Sequence, residues 1–225
     1  MSIHKAFFAL CYDRQMARAE EAGLRESRRR LVAEATGEVL EIGAGTGANL
    51  ELYGPGVAAL TVTEPEPAMV RRLERHVRER APHATVLRAP AEDLPFEDAS
   101  FDVVVSTLVL CGVADQPRAL RQIGRVLRPG GRLLFLEHVR SQEPKLARTQ
   151  DRLNWLNRLV VCCECNRPTL DSIKAAGFEV GQVEHGVLPK APPFVRPLIL
   201  GTARWPQAPL TDAPDLRTAA GTERG

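Results

Sequence analysis

Val39-Leu40-Glu41-Ile42-Gly43-Ala44-Gly45-Thr46-Gly47 is a short apolar run that ends in three alternating glycines. The run reads as a strand. Glycines at its end let the backbone adopt positive φ and bring N–H groups close to a ligand at a helix start. A dinucleotide fold favours G-x-G-x-x-G, whose third glycine makes room for helix packing below the pyrophosphate. Here the pattern is G-x-G-x-G, and Ala48 stands where that glycine is expected. A tight strand-to-helix turn without a ligand could use the same residues.

Outward from this loop, strands and helices alternate. Residues 13–35 read as a charged amphipathic helix with Met16, Leu24, Leu31 and Val32 inward, and 38–42 as a strand. The glycine loop continues into a helix over 49–53. A strand follows at 58–63, then a helix at 66–80 with Val70, Leu73 and Val77 in phase. Residues 85–87 and 101–105 are strands, the second apolar almost throughout, as in a strand covered on both faces. A helix over 115–127 carries Leu120, Ile123 and Leu127, and Pro129-Gly130-Gly131 marks a turn before a strand at 132–139. The pattern then loosens into helices at 145–161 (Leu146, Leu153, Leu156, Leu159) and 168–176. Strands at 178–183 and 195–203 would close the sheet edge as a hairpin-like pair. This predicts a single-domain, Rossmann-like α/β fold with a seven-stranded, mostly parallel sheet and helices on both faces. Residues 1–37 would form a helical lid on the substrate side, 38–204 the main domain, and 205–225 a disordered tail rich in Pro, Ala, Thr and charge.

The 225 residues are 44% hydrophobic with a net charge of +2, enough for one good-sized core and too little charge for a nucleic-acid partner. Arg28-Arg29-Arg30 reads as a solvated helix face. Ala6-Phe7-Phe8-Ala9-Leu10 is too short for a signal core or a span, so a soluble cytoplasmic chain without stable membrane insertion is expected. The five cysteines (Cys11, Cys111, Cys162, Cys163, Cys165) read as reduced thiols. Cys162 and Cys165 form one C-x-x-C with no second pair at matching spacing, and the histidines are scattered, so no metal site is expected.

Further motifs narrow the ligand. Glu64 ends the second strand, where a carboxylate faces the glycine loop across the open end of the sheet and can accept from both hydroxyls of a ribose. Ala91-Glu92-Asp93-Leu94-Pro95-Phe96, Ser100-Phe101-Asp102-Val103-Val104 and Leu127-Arg128-Pro129-Gly130-Gly131 follow in order. Together with the loop they resemble class I S-adenosylmethionine-dependent methyltransferases, nearest the ubiquinone/menaquinone-biosynthesis type and its small-molecule relatives. The resemblance covers residues 38–139. It implies that Glu41, Gly43, Ala44 and Gly45 lie at the methionine part of S-adenosylmethionine and that Glu64 holds the ribose. It further implies that Pro65 and Met69 flank the adenine, and that Ala91 by its backbone and Glu92 by its side chain read the adenine edge. Ser106, Thr107 and Leu108 would border the methionine amine and the sulfonium. Ala89-Pro90 departs from the Gly-Asp of many relatives.

Val104 to Cys111, Phe135-Leu136-Glu137-His138-Val139, Cys165-Asn166 and Val195-Arg196-Pro197 resemble more closely the methyltransferase-like proteins that act on alkyl thiols. Bacterial members also share a pattern like Tyr12-Asp13. The animal members carry an N-terminal membrane anchor; none is expected here, and their localisation is not carried over. A methyl on a sulfonium is already activated, so alignment dominates the task, and a thiol with a pKa of about 8.5 supplies some thiolate unaided. His138, at the carboxyl end of a strand, is the candidate base, with Tyr12 a candidate lid residue. Trp155 would either wall an apolar acceptor pocket or lie in the core. The expected function is methyl transfer to a small molecule, a thiol or else an N, O or C centre of a natural-product or quinone-type acceptor. The competing readings are an NAD-dependent oxidoreductase, which the missing third glycine disfavours, and a non-catalytic cofactor-binding module.

Overall fold

The computed structural model describes residues 16–161 and 163–207. Tyr12, Cys11, Cys162 and the tail beyond 207 lie outside the described residues, and with them the lid role expected of Tyr12.

Seven strands form one sheet in the order β3-β2-β1-β4-β5-β7-β6. They are β1 (Gly37–Ile42), β2 (Val57–Thr63), β3 (Thr85–Leu87), β4 (Phe101–Thr107), β5 (Leu127–His138), β6 (Glu179–Val187) and β7 (Pro197–Arg204). The first five run parallel, whereas β7 is antiparallel to both β5 and β6. The strand order reverses direction between β1 and β4, and the crevice outside the carboxyl ends of such a pair is where open α/β sheets bind ligands.

Period-two alternation divides the core between the two faces. On one face Leu40, Ile42, Val104, Leu133 and Phe135 meet Leu120 and Ile123 of α3 (Gln116–Val126) and Ile173 of α5 (Thr169–Ala175). On the other, Val39, Val62, Val103, Val105, Leu134 and Leu136 meet Leu31 and Val32 of α1 (Arg25–Val32) and Leu73 and Val77 of α2 (Pro67–Arg80). Asp115 caps α3 by accepting the Arg118 N–H at 2.9 Å, with Pro117 in the first turn, where its missing donor costs nothing.

Several local expectations are corrected. The predicted helix over 13–35 is broken: a wide π-type turn at Glu20–Leu24 precedes α1, because Gly23 sits at φ 130°, outside helical space. The expected helix over 49–53 is a single 3-10 turn at Leu50–Leu52. Pro129-Gly130-Gly131 lies within β5 as a bulge. Phe101 pairs with Leu127 but Val103 pairs with Arg132, so the extra residues are absorbed where Gly130 takes φ 80°. In α4 (Pro144–Val161), Leu156 and Leu159 face outward, not inward, and Trp155 is 66% exposed, so it is not core. Trp205 is not part of a loose tail. It packs on Phe178 with ring centroids 4.9 Å apart, and its backbone pairs with Gly130 and Gly131.

Candidate active site

The glycine loop leaves β1 with Gly43, Gly45 and Gly47 at φ 56°, 60° and 92°. These conformations are nearly free for glycine and strained for other residues. At Gly43 a second constraint applies, since a Cβ there would stand 2.7 Å from both methyls of Val109 in the segment after β4. Two bonds tie the loop to the neighbouring strand. Ala44 N–H donates to the Thr63 carbonyl at 2.8 Å, and Gly45 N–H to Glu64 Oε2 at 2.9 Å.

Glu64 is buried, and its second oxygen accepts the Glu66 N–H at 2.9 Å. Burial pushes its carboxyl above the ordinary range, and the two backbone donors only partly offset this. Each oxygen keeps a lone pair, so the carboxylate can still accept two hydroxyl donors. Glu66 Oε1, also buried, has no hydrogen-bond partner. This spare acceptor capacity fits a ligand rich in hydroxyls and amines, as S-adenosylmethionine is. Sequence reading passed over Glu66, although the Glu64-Pro65-Glu66 spacing was the available signal. Pro65 is exposed, Met69 and Ala91 are buried, and the Glu92 carboxylate has a task of its own. Glu92 Oε1 accepts the N–H groups of Ala114 at 2.7 Å and Asp115 at 3.3 Å, clamping the entry to α3.

Glu41 is 2% exposed. It accepts the Tyr53 hydroxyl at 2.6 Å and the Asn49 side-chain amide at 2.9 Å. The same amide reaches Thr107 Oγ1 at 3.0 Å. Arg28 completes the cluster. Its guanidinium donates to Thr107 Oγ1 at 2.7 Å, Asn49 Oδ1 at 3.2 Å and Glu20 Oε1 at 3.0 Å. Arg28 is therefore buried, at 3% exposure, while Arg29 and Arg30 pair with Glu26 and Glu184 at the surface. The solvated-face reading of the triple arginine holds for two of its three members. Glu20 is a near neighbour in sequence, but the two partners that bury the third arginine lie 21 and 79 positions away.

Burial dominates the Tyr53 and Asn49 hydrogen bonds and raises the Glu41 pKa from 4.5 to about 6. The folded chain thus binds this proton more tightly than the unfolded one. The stability it contributes is complete below pH 4.5 and is lost as the pH rises through about 6. The difference is worth about 2 kcal/mol. Glu41→Gln should therefore stabilise the chain by about 1 kcal/mol at pH 7.5 and leave it unchanged at pH 4.5. Urea unfolding at the two pH values checks this; an equal effect at both would refute it.

Glu137 organises the segment after β4. It is fully buried and accepts the Ser106 hydroxyl at 2.6 Å, the Val109 N–H at 3.1 Å and the Cys111 N–H at 3.3 Å. Between these anchors Leu108 is held at φ 61°, its N–H bonded to the Leu136 carbonyl at 2.7 Å. Such strain in a residue with a Cβ persists only where its surroundings over-determine it, and it concentrates at functional sites. Ser106 is fully buried with its hydroxyl committed to Glu137. By donating to Glu137, this hydroxyl holds the segment after β4 in place.

His138 is 6% exposed, and its Nδ1 lies 3.3 Å from Cys163 Sγ and 3.6 Å from Cys111 Sγ. That nitrogen faces two sulfurs, while the buried Nε2 has no hydrogen-bond partner. Cys163 as hydrogen-bond partner, and then burial, push the Cys111 thiol well up. Glu137 and His138 both meet Cys111, one at its amide and the other at its sulfur. A cleft of about 260 Å³ lies on the helix side of the glycine loop, between Met16, Arg28, Thr46, His76 and Arg80; it does not include Glu64.

The family profile described as "Methyltransferase domain" matches residues 40–135. The thiol S-methyltransferase TMT1A of Homo sapiens is 36% identical over 172 residues, covering 73% of this chain and 69% of that protein. The chain belongs to the class I S-adenosylmethionine-dependent methyltransferases. It is an enzyme of small-molecule methylation that depends on S-adenosylmethionine. A phosphatidylethanolamine N-methyltransferase of Cereibacter sphaeroides is 30% identical over 179 residues, covering 76% of this chain and 87% of its own length. Among solved structures, an S-adenosylmethionine-dependent methyltransferase of Thermotoga maritima superimposes with a TM-score of 0.65 at 25% identity, over 90% of this chain and 98% of that one. No helix among the described residues is long and apolar enough to cross a membrane.

Proposed function

We propose that this enzyme methylates the sulfur of a small thiol. The observation that carries the reading is the similarity to a thiol S-methyltransferase over most of the chain, including the segments around Cys111 and His138 at the strand ends. The chemistry agrees with it. Bound S-adenosylmethionine supplies an activated methyl on sulfur. Glu64 and the backbone of Gly43 to Gly45 fix the cofactor's ribose and methionine ends, Met69 and Ala91 line the adenine side, and Glu41 and Thr107 hold the strand ends beneath. Leu108 and Val109, pinned by Glu137, close over the glycine loop. A thiol acceptor needs no strong base, which suits a site whose buried imidazole already faces two sulfurs.

A panel of small thiols, amines, phenols and quinols with methyl-labelled S-adenosylmethionine, read by mass spectrometry, tests the proposal. Labelled methyl thioethers are expected, at a rate that climbs with pH toward the acceptor thiol's pKa. Methylation confined to amines, phenols or quinols would overturn it.

A further inference from the structure

We propose that Cys111, His138 and Cys163 form a binding site for one soft divalent cation, zinc in the first instance. The three ligand atoms come from separate parts of the fold: the segment after β4, the last residue of β5, and the stretch after α4. They lie within 4.8 Å of one another, and all three residues are buried. Tetrahedral zinc, with Zn–S near 2.3 Å and Zn–N near 2.05 Å, requires S···N edges of about 3.5 Å. The edges present are 3.3 Å and 3.6 Å. Both S···N edges are thus close to those a bound zinc ion requires.

The donor set is selective. Two sulfurs and an imidazole suit zinc, cadmium or cobalt and offer nothing to calcium or magnesium, which need oxygen. Charge also favours the site. Binding releases one proton from each thiol to solvent, and two thiolates neutralise a divalent ion, so the ion and its three ligands together carry no net charge. Three protein ligands leave one tetrahedral position for an exchangeable small ligand. The spacing in sequence hides all this. His138 stands 27 positions from Cys111 and 25 from Cys163, and the visible C-x-x-C uses Cys162 and Cys165 instead.

The test is metal titration of the full reduced chain after chelator treatment. One cadmium or zinc per chain is expected, with a sulfur-to-cadmium charge-transfer band in the ultraviolet and two thiols protected from a thiol reagent. Cys111→Ser and Cys163→Ser should each weaken binding at least 100-fold, while Cys165→Ser leaves it unchanged. X-ray absorption at the zinc edge of the unmodified chain should count two sulfur ligands, a readout that does not depend on either variant folding. Absence of stoichiometric metal, a sulfur count other than two, or a Cys111–Cys163 disulfide as the only product would overturn the proposal. None of these readouts involves methyl transfer, so they stand or fall apart from the thiol reading.

Discussion

Glu64→Ala is expected to weaken S-adenosylmethionine binding by about 100-fold in isothermal titration, or about 3 kcal/mol. Two contributions reach this figure. A carboxylate that accepts two ribose hydroxyls makes charge-assisted hydrogen bonds worth about 1.5–3 kcal/mol each. Its loss also strands the amides of Gly45 and Glu66, both of which donate to it. The glycine loop would then lose the bond that sets its distance from β2. Glu64→Gln should retain part of the affinity, since one carbonyl oxygen remains to accept. Affinity of the alanine variant within a factor of three of the parent chain would remove Glu64 from the cofactor site.

Glu137→Ala should be the most destabilising single change near the site, by about 4 kcal/mol. It leaves the Ser106 hydroxyl and the Val109 and Cys111 amides without their acceptor in a dry interior, each at a cost of about 1–3 kcal/mol. For a chain of this size the loss corresponds to a melting temperature about 12 °C lower. Methyl transfer should fall more than stability alone explains, because Leu108 would be free to leave its positive φ and withdraw Val109 from Gly43. Glu137→Gln should lie between the two, since its amide nitrogen would confront a backbone donor. Scanning calorimetry and turnover at a temperature where both chains are folded measure these effects; a melting temperature unchanged within 3 °C would refute the assignment.

The fold was legible because its signals are local. Apolar runs such as Val103 to Val105, the helical phase of Leu73 and Val77, and the glycines after Ile42 each announce their element within a few residues. The residues proposed for the cofactor end could be picked out for the same reason: Gly43, Gly45 and Glu64 sit at strand ends, and strand ends can be read. What escaped is held by distant partners. Arg28 looks like a surface charge until Asn49 and Thr107 are folded against it. The bond from Ser106 to Glu137 spans 31 positions. The paired sulfurs around His138 required three segments to converge. Trp155 and Leu159 misled in the other direction, since an amphipathic pattern says that a stripe exists but not that anything covers it.

The Arg28 cluster has a consequence for anyone recombining this enzyme with its relatives. Leu24, Leu31 and Val32 share one core with Val39 and Val62, and the guanidinium between them is keyed to Asn49 and Thr107. The front helix is therefore not an interchangeable cassette. Transplanted into a host without that matching pair, it would carry a buried cation that lacks two of its three partners. Taken away, it would leave the receiving groups at the strand ends facing a void. Any swap of this helix must move all three residues as one inheritance.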